Sequence, residues 1–150
     1  MSALLAAVVA QLFATTPQIR RLRSAPAPNG SPYYRLNGTD IAGFVVPSLV
    51  DEGRLRNGRD LLVVPLDSGG SGQVFGALVW TRATGEAWRF AGSVPSPNGR
   101  LVIRIEGGVL VAALPDYGPG DADCCPSRHR YERFTVNRQK LELLNAYTAK

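Results

Sequence analysis

Two apolar segments near the middle of the chain, Leu61–Leu66 (LLVVPL) and Val74–Thr81 (VFGALVWT), decide the fold. Both are rich in the β-branched, aromatic and other apolar residues that are typical of buried strands. A Gly- and Ser-rich stretch, Asp67–Gly72 (DSGGSG), separates them, as expected for the loop of a hairpin. Pro65 has no N–H to donate, so its strand is expected near a sheet edge or at a bulge. The centre of the sequence therefore predicts an antiparallel strand pair.

Short strand candidates continue on both sides of this hairpin. Leu101–Glu106 (LVIRIE) alternates between two sets of side chains, which is the pattern of a strand with one buried face. The 16 Gly and 11 Pro fall between the apolar runs and indicate frequent turns. The sequence thus predicts a mainly β fold, either a single antiparallel meandering sheet or a small barrel-like domain. The remaining candidates are Tyr33–Leu36, Ala87–Val94, Val109–Leu114, Tyr131–Val136 and Leu141–Tyr147, with an irregular edge strand or helical turn within Ile41–Val50.

A short apolar segment, Ser2–Ala14 (SALLAAVVAQLFA), precedes the strands and is expected to be helical. It is too short to span a bilayer, which needs roughly 20 residues. Three interpretations stay open. The segment is a helix that docks on a membrane protein, a complex or a membrane surface, or it is an ordinary core helix. The third interpretation is the apolar core of a signal peptide, although no Lys or Arg precedes it. We favour docking, and the expected contact residues are Leu4, Leu5, Val8, Val9, Leu12 and Phe13.

The domain organisation follows from these segments. With 150 residues, the chain has the length of one domain. We expect an N-terminal helix and anchor over residues 1–23, a linker over residues 24–32, and a β domain over residues 33–150. The linker is inferred from Ser24–Pro32 (SAPAPNGSP), which is rich in Pro, Gly and Ser and has no periodicity.

The net charge of +5 comes almost entirely from arginine, and it raises the question of a nucleic-acid partner. Nine of the 15 arginines fall in three clusters, and acidic residues lie close to two of these clusters, for example Asp51 and Glu52. The sequence also has no aromatic stacking motif of the kind that single-stranded RNA modules use. We therefore predict that the protein does not bind nucleic acid.

An adjacent cysteine pair, Cys124-Cys125, lies in a segment rich in Gly, Pro and Asp. The favoured interpretation is a vicinal disulfide that makes a rigid kink and marks an oxidising compartment. The alternative is a pair of reduced, partly buried thiols. His129 follows Cys125 at a C-x-x-x-H spacing, but a structural zinc site normally needs four ligands, and His129 is the sole histidine. We therefore predict no metal and no cofactor.

The sequence nominates no catalytic residues, and we predict that the protein is not an enzyme. A single histidine cannot complete a Ser-His-Asp set at a credible place, and no carboxylate pair stands at a strand end. Two other functions remain as alternatives. One is a free periplasmic ligand-binding module with an apolar pocket lined by Trp80, Trp88 or Phe90. The other is thiol redox chemistry at Cys124-Cys125.

The segment Gly118–Ser127 (GPGDADCCPS) resembles a motif of uncharacterised bacterial secreted proteins and lipoproteins. Their pattern, Gly-Pro-x-Asp-x-x-Cys-Cys-Pro-Thr/Ser, follows a run of strands and precedes a strand that contains tyrosine. The similarity covers roughly Tyr33–Leu144 and implies an extracytoplasmic β domain, without supplying catalytic residues. This chain departs from the family at Leu55–Asp60, where members often have an Asp-rich segment, and at its N-terminus, where members have standard export signals.

These observations lead to one hypothesis about function. We expect a non-catalytic β domain on the periplasmic side of a bacterial membrane, associated with that membrane. Its apolar N-terminal helix would dock on a membrane protein or complex, and the domain would act as an accessory or scaffolding subunit.

Overall fold

The two central apolar segments form neighbouring antiparallel strands in a computed structural model that describes residues 1–23, 30–70 and 73–150. The described part of the chain is mainly β, with a single α-helix ahead of the strands, as predicted. A short 3-10 turn, Pro47–Leu49, lies within the segment predicted to be irregular. The elements are α1 (Ala3–Thr15), β1 (Ile19–Leu22), β2 (Tyr33–Leu36), β3 (Ala42–Val45), β4 (Asp51–Arg54), β5 (Asp60–Asp67), β6 (Val74–Arg82), β7 (Arg89–Pro95), β8 (Val102–Glu106), β9 (Val109–Asp116), β10 (Arg128–Asn137) and β11 (Lys140–Ala149).

The strands form two antiparallel sheets rather than one. The larger sheet has the order β1-β2-β3-β5-β6-β7, and β4 pairs with the first half of β5 while β3 pairs with its end. The smaller sheet is a meander of four consecutive strands in the order β11-β10-β9-β8. Pro65 lies where the register between β5 and β6 shifts, so the bulge expected at this proline is present.

The division into two sheets follows from the unbroken apolar sequence of β5. Leu61 and Val63 face a core that lies between the two sheets. Leu62 and Val64 point the other way, into a second core on the far face of the larger sheet. Because both faces of β5 must be covered, one sheet alone cannot bury the strand. The smaller sheet covers one face, and α1 covers the other.

The N-terminal residues are joined to the β domain by packing and by hydrogen bonds. Val9 and Phe13 of α1 are buried in the second core, and β1 pairs with β2 along its whole length. Residues 1–23 therefore pack against the strands, and their role as an anchor stays a prediction. The physical reason is that the far face of the larger sheet needs a cover. Of the predicted linker, residues 24–29 lie outside the described residues.

Candidate functional site

The cysteine pair lies in the loop that connects β9 to β10. The Sγ atoms of Cys124 and Cys125 are bonded to each other, and both residues are exposed. The loop is shaped by two backbone turns, in which Asp121 N–H donates to the Gly118 carbonyl and Cys125 N–H donates to the Ala122 carbonyl. The structure thus contains the vicinal disulfide that the sequence favoured, at the surface of the protein.

The carboxylate of Asp121 holds the two ends of this loop together. One of its oxygens accepts hydrogen bonds from the Gly118 N–H at 2.6 Å, from the Ser127 N–H at 2.9 Å and from the Ser127 hydroxyl at 2.9 Å. The backbone bond from Ser127 is the largest cause of a lowered pKa at Asp121, followed by the bond from Gly118, because both favour the charged carboxylate. Tyr117 adds a further link, since its hydroxyl donates to the Asp123 carbonyl at 2.7 Å.

The residues near the disulfide do not assemble a metal centre. Among the residues that the structure describes, no group of three or more His, Cys, Asp or Glu side chains is placed to hold a metal ion. His129 lies at the start of β10, where its ring is 6.3 Å from the ring of Tyr131. In its oxidised form the pair offers no thiolate, so any nucleophilic chemistry here would first need a reductant.

The six predicted docking residues of α1 do not share one environment. Val9 and Phe13 are buried, and Leu5, Val8 and Leu12 are half-buried against the same core. Leu4 differs from the other five, since it is 78% exposed. The helix is apolar all round, so the sequence could not show which side would face the sheet. Two of the six residues thus lie in the interior, three lie at its margin, and Leu4 faces outward.

Phe13 joins the helix to the aromatic rings of the sheet. Its ring lies edge-on to the ring of Tyr34, with the centroids 4.5 Å apart, and 5.3 Å from the ring of Trp80. The indole N–H of Trp80 donates to the Thr16 hydroxyl at 3.2 Å, just beyond the helix end. Burial raises the pKa of the Tyr34 hydroxyl, and the charge of Arg21 opposes that shift.

The rings of Trp80, Trp88 and Phe90, which the sequence suggested as the lining of a ligand pocket, contact other side chains of the protein. Trp80 is 1% exposed, and its ring packs against Phe90 with the centroids 5.4 Å apart. The guanidinium of Arg82 lies over the ring of Trp88 at 4.2 Å from the centroid. Trp80 therefore offers almost no surface to a ligand, whereas Trp88 and Phe90 are half-buried.

A surface groove of about 490 Å³ lies elsewhere, between the ends of β2, β6 and β7. Tyr33 and Arg35 of β2 line it together with Phe75 of β6. Sequence reasoning missed these residues because they come from strands that are far apart in the chain. The one local signal is the spacing of Tyr33 and Arg35, because residues two apart on a strand share a face.

No helix in the described part of the chain has the length and hydropathy needed to cross a bilayer. Comparison of the sequence and the structure with protein-family models, curated proteins and solved structures found no match.

Proposed function

We propose that this protein is a non-catalytic accessory subunit that docks on a membrane protein or membrane-bound complex through the outward side of α1. The observation that supports this most directly is the chemistry of that side. We define the outer α1 face by four of the exposed residues of the helix, Leu4, Ala7, Gln11 and Ala14, together with the exposed Met1 that precedes it. A helix on the surface of a soluble domain normally carries charged residues on its outward side, but α1 has no charged side chain.

The inward side of the helix supports the same proposal, because it fixes the position of the outer α1 face. Val9 and Phe13 hold the helix on the sheet, so the outer face is presented as a rigid surface. A partner that binds such a preformed surface does not have to order a mobile segment, and the entropic cost of binding is smaller.

The charges next to the helix indicate the character of the partner. Arg21 and Arg23 are exposed at the edge of the larger sheet, just after the helix. Together with the uncharged helix they form a surface that is apolar at one end and positive at the other. Such a surface complements a partner with an apolar patch beside acidic groups. We place this partner on the outer side of a bacterial membrane, since exposed disulfides are typical of oxidising compartments.

Substitution on the outer α1 face tests the proposal without disturbing the core. The full chain is expressed in a bacterium, and the protein in the washed membrane fraction is quantified. We expect Leu4→Lys to reduce the membrane-bound fraction strongly, because a charge then faces an apolar partner. Val102→Lys is the matched control, since Val102 is also apolar and 57% exposed but lies on the outer side of the smaller sheet.

Two outcomes of this experiment would overturn the proposal. One is equal membrane association of Leu4→Lys, Val102→Lys and the unmodified protein. The other is full binding to protein-free vesicles of phosphatidylglycerol and phosphatidylethanolamine, because this would show that the lipid surface is the binding partner and that no partner protein is needed. Loss of binding after protease treatment of the membranes supports a protein partner.

A further inference from the structure

The groove between the ends of β2, β6 and β7 combines apolar rings with the positive charge of Arg35. Its apolar walls come from Tyr33, Phe75, Pro95 and Pro97. The volume of about 490 Å³ is in the range of small-molecule sites, which run from roughly 300 to 1,000 Å³. The groove is open on one side, so it fits a ligand that is held at one end and packs its body along a wall.

Arg35 is the arginine that lines the groove, and Arg20 lies opposite it on the neighbouring strand, outside the lining. Arg20 of β1 and Arg35 of β2 are directly opposite in the antiparallel ladder, so their side chains are on the same face of the sheet. Like charges at such a position repel each other. Within the part of the chain that the structure describes, the carboxylate ion pairs involve other arginines and do not include these two.

Arg35 is also held in place on the groove wall. One terminal nitrogen of its guanidinium donates to the Thr39 carbonyl at 3.3 Å, and the side chain is half-buried. The Tyr33 ring beside it is fixed in turn by a hydrogen bond of 3.3 Å from its hydroxyl to the Ser68 carbonyl. A half-buried cation without a carboxylate partner leaves donors that an incoming anion can satisfy.

We propose that this groove binds a small organic anion, namely a carboxylate or phosphate on a flat apolar body. The oxyanion sits on the guanidinium of Arg35 with support from Arg20, because planar guanidinium groups match both oxyanions. The apolar body packs against Tyr33 and Phe75. Asp40 also lines the groove, so it repels a ligand that carries a second negative charge near that wall and accepts a hydrogen bond from a ligand hydroxyl.

A matched set of arginine variants tests this site. Ile19 of β1 faces the core under α1, so Arg21 shares that side of the strand and Arg20 points to the other. Arg20→Gln and Arg21→Gln therefore remove the same charge from adjacent positions on opposite faces. Binding of phenyl phosphate and of phenylacetate is measured by calorimetry and by backbone amide shifts. Phenol, which has the aromatic ring alone, and inorganic phosphate, which has the oxyanion alone, are the control ligands.

The expected result is binding of phenyl phosphate or phenylacetate, with amide shifts at Arg35 and Phe75. Arg20→Gln and Arg35→Gln each weaken it about tenfold or more, and Arg21→Gln leaves it unchanged. Arg35→Lys keeps the charge but loses the planar guanidinium that can bind two oxygens at once. Its affinity should therefore lie between that of Arg35→Gln and that of the unmodified protein. Thermal unfolding of each variant verifies that it is folded.

Other results overturn the proposal. No binding of either aromatic anion at about 10 mM excludes the site, since a ligand of millimolar affinity would then occupy most of it. Equal weakening by Arg20→Gln and Arg21→Gln shows attraction by net charge alone. Equal affinity for inorganic phosphate and phenyl phosphate shows that the apolar walls take no part.

Discussion

Truncation of Phe13 to alanine measures how firmly the N-terminal helix belongs to the fold. The side chain is 4% exposed and lies between the rings of Tyr34 and Trp80. A buried Phe removes at least 150 Å² from water, and at about 25 cal/mol per Å² this corresponds to ~4 kcal/mol. Phe→Ala substitutions in cores cost ~3–5 kcal/mol. We therefore expect Phe13→Ala to lower the free energy of unfolding by about 3–5 kcal/mol.

Urea unfolding followed by tryptophan fluorescence provides the assay, because Trp80 lies against the substituted side chain. For a domain of this size the same change lowers Tm by about 6–20 °C, at ~2–4 °C for each kcal/mol. Leu4→Ala is the control on the same helix, since Leu4 is 78% exposed and surface substitutions usually change stability by less than ~0.5 kcal/mol. A loss below about 1 kcal/mol for Phe13→Ala, with an unchanged urea dependence, would show that α1 is not part of the core.

Three further predictions concern other parts of the molecule. Thr16→Val removes the acceptor of the buried Trp80 indole N–H and should cost ~1–3 kcal/mol in urea unfolding, whereas Thr15→Val at the exposed neighbouring position should cost much less. Gly43→Ala should strongly destabilise the protein or prevent its accumulation. A Cβ at this position would collide with the backbone of β5, and the φ of +155° disfavours a side chain. A stability equal to that of the unmodified protein would contradict the close approach of β3 and β5. The pKa of Asp121 is lowered in the folded protein. The stabilisation from its carboxylate hydrogen bonds is therefore present above the pKa of an unfolded aspartate, and it is lost as pH falls through the pKa of Asp121 in the folded protein. The amide shifts of the loop should therefore titrate with a midpoint below that of an ordinary aspartate, and Asp121→Asn should abolish this titration.

The strands that the sequence predicted well are those whose own residues specify burial. Leu61–Leu66 and Val74–Thr81 are apolar except for the terminal Thr81, and the strands observed there extend the predicted ranges by one or two residues. Two strands were missed, β1 and β4, because Arg20 and Arg21 or Asp51 and Glu52 give them a charged, solvent-exposed pattern. They are strands because β2 and β5 supply the ladder partners. Their existence depends on non-local pairing, which the local pattern does not contain.

Like the strands, the candidate sites divide into those that the local sequence specifies and those that form only in the folded protein. The disulfide needs only two adjacent cysteines, so the sequence alone was sufficient to propose it. The orientation of α1 was not accessible, because an apolar helix without charges has no side that its sequence marks as exposed. The groove could not be found either, since Arg35 and Phe75 come together only when the larger sheet forms.

The bond between Cys124 and Cys125 joins residues that are already neighbours, and this limits what it contributes to folding. A disulfide stabilises a protein in the chain-entropy view by restricting the unfolded chain, and the effect grows with the number of residues enclosed. Here no chain segment is enclosed, so the unfolded ensemble loses almost no freedom when the bond forms. The two buried cores must therefore supply the stability of the domain on their own. We therefore expect the protein to reach its native structure before oxidation, and we expect reduction to alter the surface loop without changing the midpoint of global unfolding.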